Sequence, residues 1–249
     1  MFRWLMRQVG KRLARYLERP SRSYHPLVVN NMAFLKQVMK PGDVLLVEGN
    51  LRISSAIKYL TQSTWSHAAL YVGTLDGQSH MLIEADMGEG VRAVPLDFYA
   101  TYNTRVCRPV GITPEDEVKL VDYMANRIGN TYDLDNIVDI LRYLLPNPPV
   151  PTRWRRGLLE LGSGQPTQAI CSTLIAQAFH SIRYPILPSI THQLYCSIEK
   201  RNCAPQAVLR RRHHSLFVPR DFDVSPYFQV IKPTVEMGFD YRETVWSDH

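Results

Sequence analysis

Three residues in this chain have types suited to thiol chemistry: Cys171, His67 and Glu84. A thiol attacks a carbonyl carbon as its thiolate, so it needs a base close by. That base works best when a carboxylate or amide holds its ring in one tautomer. Cys171 follows a segment bearing Gly162, Gly164 and Pro166, and it opens the apolar-periodic run C-S-T-L-I-A-Q-A-F-H-S-I. A cysteine at the start of a helix gains from the helix dipole, which favours the anion. His67 begins the apolar run of S-H-A-A-L-Y-V-G, and Glu84 lies late in the next run, H-M-L-I-E-A. A hairpin of those two runs would bring histidine and carboxylate together, with the register left open. The competing reading is structural. A free cysteine is often a small buried hydrophobe, a histidine at a strand start can be a packed polar residue, and Glu84 can cap a turn.

The elements that must position these groups are read from periodicity and turn chemistry. Residues 32–39 suit a short helix. Pro41, Gly42 and Asp43 make a turn into the apolar run 44–47, a buried strand. Residues 54–60 have helical character. Residues 66–73 and 80–85 are apolar runs of strand length, and the Asp-Gly pair within 74–79 suits a hairpin turn between them. Residues 91–94 and 105–110 read as further strands. Thr113, Pro114, Glu115 and Asp116 combine an N-cap, a first-turn proline and early acids, which predicts a helix to about Arg127. Helical spacing returns over 133–145 and 171–182, around a loop at 146–168 rich in proline and glycine. Apolar stretches near Leu216 and at 228–232 read as closing strands. Strands and helices cluster rather than alternate, which predicts an α+β fold. The organisation expected is a basic helix at 1–22, a linker and short helix at 23–40, one domain at 41–235 and a tail at 236–249.

Composition narrows the class. The 249 residues are 45% hydrophobic and 21% charged, ordinary for a folded chain and unlike a disordered or fibrous one. No run approaches the roughly 18 to 20 apolar residues of a membrane-spanning helix. None of the four cysteines lies in a CxxC pair, so neither a disulfide scaffold nor a zinc ribbon is suggested. Lys and Arg number 29 against 23 Asp and Glu; residues 1–22 hold seven and one of these, which leaves 22 of each sign. The rest of the chain is therefore neutral, and no nucleic-acid partner is expected.

Residues 1–22 carry the excess. At helical spacing Phe2, Leu5, Met6, Val9, Leu13, Tyr16 and Leu17 share one arc, and Arg3, Arg7, Lys11 and Arg15 the opposite one. Pro20 would stop such a helix. A basic amphipathic helix over residues 1–20 can lie on an anionic membrane surface, or dock on its own domain with the basic face in water. An organellar targeting peptide is a further reading. No apolar core precedes a small-residue cleavage site, so a secretory signal is not suggested. The expected location is cytoplasmic, including a peripheral position on the inner face of a membrane.

Other constellations are weaker. Cys196, Cys203, His213 and His214 fit no usual zinc spacing, so no metal is expected. Arg210, Arg211 and Arg212 beside the two histidines read as a solvated loop, with phosphate or headgroup contact as the alternative. Cys107 reads as a strand residue. Neither GxxxxGK[ST] nor GxGxxG occurs, so no nucleotide cofactor is expected. Ser66 and Ser172, beside His67 and Cys171, are candidates for substrate or oxyanion contact.

The segments G-D-V-L-L (42–46), W-S-H-A-A-L-Y-V-G (65–73), L-I-E-A (82–85) followed by G-V (90–91), and A-I-C-S-T-L-I (169–175) resemble the circularly permuted papain-like hydrolases. These form the permuted branch of the NlpC-type superfamily, which includes the lecithin:retinol acyltransferase group. In that branch the histidine strand precedes the cysteine helix, as in the order His67, Glu84, Cys171 here. V-P-R-D-F (218–222) also resembles the family's closing segment, ahead of the last strand. The resemblance spans about residues 40–230 and is weak over 110–165. It implies a permuted papain-like core, an antiparallel sheet packed against the nucleophile helix, with the N-terminal amphipathic helix outside it. It implies Cys171 as nucleophile, His67 as base and Glu84 as the orienting third member, without metal or cofactor. The reaction implied is hydrolysis of an amide or ester, in a peptide or lipid/acyl substrate, through an acyl-enzyme. Tyr132 resembles a recurring family tyrosine that faces the cleft or donates to an oxyanion; packing is its other role. The basic N-terminus and the insert at 146–168 depart from the family pattern and favour a membrane-proximal or acyl-chain substrate. Acyl transfer by the same triad, and a non-catalytic membrane- or partner-binding module, are the alternatives.

Overall fold

The computed structural model describes residues 31–86, 88–130, 170–197 and 202–243. The basic segment at 1–22, the helical spacing at 133–145, the loop at 146–168 and Tyr132 lie outside the described residues.

The sheet is built around Val44–Glu48 (β1), in which every residue is buried. Alternate side chains leave it for two different cores, Val44 and Leu46 for one and Leu45 and Val47 for the other. That explains a continuous apolar run where a half-exposed strand would alternate. His67–Leu75 (β2) pairs with one edge of β1, followed outward by Gln78–Asp86 (β3) and Gly90–Pro95 (β4). Asn103–Pro109 (β5) pairs with the other edge. Ser189–Ser197 (β6) and Asn202–Arg210 (β7) form a separate two-stranded ribbon, and Phe228–Ile231 (β8) completes the main sheet beyond β5. The order is β4-β3-β2-β1-β5-β8, with every neighbouring pair antiparallel. The expected Asp-Gly turn joins β2 to β3. Asp76 and Gly77 both take positive φ, 49° and 78°, which suits a two-residue hairpin in a right-twisted sheet.

Helices cover both faces. Met32–Val38 (α1) puts Leu35 into the core that also holds Leu45 and Tyr71. Arg52–Thr61 (α2) follows β1. Pro114–Ala125 (α3) starts as expected: the Thr113 hydroxyl accepts from the Asp116 N–H at 3.2 Å, with Pro114 in the first turn. Ile170–Ser181 (α4) and α3 share the opposite face, where Leu120, Met124, Leu174 and Phe179 meet Ala68, Leu70 and Ile83. Two short helices, Pro219–Asp223 (α5) and Pro233–Glu236 (α6), flank β8. Phe179, Phe222 and Phe228 pack ring against ring, with centroids 5.2 to 6.3 Å apart. Each buried aromatic of this kind contributes about 2 to 3 kcal/mol by removing its surface from water. No helix among the described residues is long and apolar enough to cross a membrane.

The α+β prediction matches this architecture, and two local expectations change. The stretch near Leu216 is a 3-10 turn, His214–Leu216, and not a strand. The His213 ring accepts from the Ser215 N–H and so caps the turn, while Phe217 alone plugs the core. The ribbon β6–β7 was not anticipated, although I-T-H-Q-L-Y-C has the alternation of a strand.

Candidate active site

The β2–β3 register decides how His67 meets Glu84. Leu70 stands opposite Ile83 and Tyr71 opposite Leu82. One further step sets Ala69 against Glu84, so His67 and Glu84 are diagonal neighbours on one face, within reach of long side chains. His67 Nε2 lies 2.8 Å from Glu84 Oε2. Cys171 is the second residue of α4, and its thiol lies near enough to the His67 ring for their charges to interact. Glu84 engages Nε2, which leaves Nδ1 for the sulfur. The Ser172 hydroxyl lies 3.9 Å from the sulfur.

The electrostatics follow from these contacts. Burial pushes the Cys171 thiol up, but the charge and hydrogen bond of His67 outweigh it and bring the thiol below its ordinary value. Burial pushes the His67 imidazole down; the Cys171 charge and the Glu84 hydrogen bond reverse that and hold it well above 6.5. Burial also raises Glu84, yet His67, Tyr99 and Arg92 hold its carboxyl at about 2. The arrangement therefore favours a thiolate–imidazolium pair, with the imidazolium oriented by an ionised carboxylate.

Glu84 is only 1% exposed, so its charge needs partners. Arg92 Nε and Nη2 donate to Oε1 at 2.9 and 2.8 Å. The Tyr99 hydroxyl donates to Oε2. Burial and the nearby Glu84 charge keep the Tyr99 phenol protonated, hence a donor. Neither Arg92 nor Tyr99 was anticipated. Arg92 had a signal: a turn centred on Gly88 pairs Glu84 with Arg92 directly across β3 and β4. Tyr99 had none, because it arrives through the 3-10 turn Leu96–Tyr99 after β4.

Ser66 is buried and its hydroxyl accepts from the Gly49 N–H at 3.0 Å. A Cβ on Gly49 would press on Ser54 Oγ and come within 2.8 Å of Ser66 Oγ, so only glycine allows this approach at the end of β1. Ser66 thus anchors the backbone just before His67. On the same approach, Trp65 Nε1 donates to Asp223 Oδ2 at 3.0 Å, and Arg105 Nη1 donates to Asp223 Oδ1 at 2.7 Å. Ser172 is fully buried. Cys196 and Cys203 stand opposite each other in the ribbon, whereas His213 and His214 lie by α4. Among the described residues, no group of three or more His, Cys, Asp and Glu is arranged to hold a metal ion.

Residues 38–143 match the model of a family described as permuted papain-like amidase enzymes, YaeF/YiiX, C92 family. The match supports a permuted papain-like fold for this chain. The match runs through β1 to α3, so it takes in His67 and Glu84 and ends before Cys171. The permuted papain-like family matched is one of amidases, which supports a cysteine hydrolase acting on amide bonds. A solved structure, the metalloprotein yiiX from Escherichia coli O157:H7, is similar at 15% identity with a TM-score of 0.46, over 78% of this chain and 96% of that one. No curated protein matches the chain.

Proposed function

We propose that this chain is a cysteine amidase with Cys171 as nucleophile, His67 as general acid and base, and Glu84 as the carboxylate that orients the imidazole. The observation that carries the reading is the coupled series Cys171–His67–Glu84, with His67 2.8 Å from Glu84 and each partner shifting the next toward its charged form. The thiolate sulfur attacks the amide carbonyl carbon, and the carbonyl electrons move onto oxygen. Cys171 lies in the first turn of α4, where backbone N–H groups lack helical partners, so its own N–H is available to that oxyanion. The tetrahedral adduct collapses, the C–N bond breaks, and the imidazolium gives its proton to the leaving nitrogen. A thioester remains. Water, deprotonated by the now neutral His67, attacks the thioester carbon; the carboxylic acid leaves and the sulfur and imidazole return as an ion pair. Arg92 and Tyr99 are positioning residues in this scheme, acting through Glu84.

The substrate class proposed is an amide of a peptide or of an acyl chain. The basic amphipathic sequence of residues 1–20 favours the acyl-chain amide, met at the inner face of an anionic membrane. The test uses the full chain with a panel of peptide amides and N-acyl amides, read by product mass, with and without an added amine or alcohol acceptor. Hydrolysis of at least one class, a covalent acyl adduct on Cys171 in intact-mass spectra and loss of both in Cys171→Ala are the expected results. Turnover that survives Cys171→Ala removes the mechanism. Acceptor-dependent product moves the reading to acyl transfer.

A further inference from the structure

The far end of the nucleophile helix carries a second cluster that the amidase chemistry does not use. A cavity of about 520 Å³ opens between the end of α4, α3 and the turn after β7. His180, Arg211, Arg212, His213 and His214 line it, and its other lining side chains are uncharged. Such a volume fits a small organic ligand rather than a lone water.

We propose that this cavity is a binding site for a phosphate-bearing anion, separate from the thiol site, with Arg211, Arg212 and the three histidines as its donors. Several features support it. Two guanidiniums and three imidazoles share the lining without a carboxylate, and the crowding shows: burial, then Arg211, His214 and His213, push the His180 imidazole down to about 4. His214 is lowered too, by burial and by His213. Like charges held together around a cavity are relieved by an anion, and guanidinium with imidazole N–H donors matches phosphate oxygens. Two of the donors are pre-set. Arg212 is held by the Leu216 carbonyl at 3.2 Å and by Asp221 at 3.6 Å. His213 Nδ1 accepts from the Ser215 N–H, which leaves the Nε2–H as a donor. Arg211, by contrast, is exposed, and no described acid pairs with it. The carbonyls at the end of α4 would oppose an anion if bare. Those of Ala178, Phe179 and His180 instead accept from Ser181 Oγ, the Tyr184 N–H and the Arg183 N–H.

His180 is nine residues beyond Cys171, about 13 Å along the helix, so occupancy and thiol reactivity are separable. The experiment titrates the full chain with inorganic phosphate and with glycerol 3-phosphate by calorimetry, at constant ionic strength set with chloride. Histidine resonances are followed by NMR in parallel. Saturable one-to-one binding is expected, with the His180 midpoint moving up because an anion favours the imidazolium. Arg211→Ala, an exposed position, should weaken binding about tenfold with unchanged melting and unchanged Cys171 alkylation. A parallel arm uses phosphatidylcholine vesicles doped with phosphatidic acid. Loss of vesicle binding in Arg211→Ala identifies a lipid headgroup as a source, and loss confined to the soluble phosphates identifies a free phosphate compound; both support the site. No saturable binding below about 10 mM phosphate, or equal binding by Arg211→Ala, overturns it, the latter assigning the anion to the basic residues 1–22.

Discussion

Cys171 and Cys107 are both free and both buried, 5% and 0% exposed, yet their thiols are driven in opposite directions. Cys107 sits mid-strand in β5 among apolar side chains. Burial, with the nearby negative charge of Asp223, pushes its thiol far above the ordinary range. Cys171 suffers the same desolvation, but the nearby His67 imidazolium answers its charge. Burial alone makes a thiol inert. Burial beside a matched cation favours the thiolate, because the pair shares the cost of leaving water.

The largest effect that would break this contrast is expected at His67. In the wild type, iodoacetamide at pH 6 should modify Cys171 and leave Cys107 untouched. His67→Ala should slow Cys171 labelling about 100-fold, the fall in thiolate expected on return to an ordinary thiol. Peptide mapping reads the ratio, and an unchanged ratio would show that the imidazole does not set the thiol. Turnover should follow a bell: it rises with pH through the lowered Cys171 value and falls as pH climbs through the raised His67 value.

Glu84→Gln comes next, with labelling and turnover reduced about 10- to 100-fold and the alkaline limb shifted to lower pH. It also has a stability signature. The folded carboxyl titrates at about 2 against 4.5 for a free one. Its stabilisation is therefore complete above pH 4.5 and lost as pH falls through 2, on the order of 3 kcal/mol in all. Thermal melts across that window should show this loss in the wild type and not in Glu84→Gln; parallel curves would refute the assignment.

Tyr99→Phe should cost about threefold to tenfold in turnover, moving the alkaline limb because the phenol acts through Glu84. A change in KM alone would mean the ring serves substrate instead. The smallest effect belongs to the other thiol. Cys107→Ala should leave turnover and Cys171 labelling unchanged and lower stability by about 1 to 2 kcal/mol, read by denaturant melts.

Much of the scaffold was legible in one dimension because its signals are local. The Asp-Gly pair at 76–77 demands positive φ, Thr113 with Pro114 marks a helix start, and the uniform apolarity of 44–47 marks a strand buried on both faces. Leu216 was misread because a short apolar stretch does not distinguish a strand from a turn that plugs a core with one phenylalanine. The ribbon at 189–210 was missed despite alternation in its first strand. Arg92 was recoverable from turn symmetry, but Tyr99 was not, since no spacing rule links a 3-10 turn to a carboxylate fifteen residues earlier.

The sequence by itself determined the order His67, Glu84, Cys171, the antiparallel strands that carry the first two, and the helix that carries the third, since periodicity and turn residues act over a few positions. Only the tertiary structure decided that β2 and β3 pair in the register that sets His67 diagonal to Glu84. It alone seats α4 so that Cys171 comes near that ring, and closes Arg92 and Tyr99 around the buried carboxylate. The physical reason is that pKa values depend on desolvation and charge within a few ångströms. Those distances are set by packing between elements far apart in the chain.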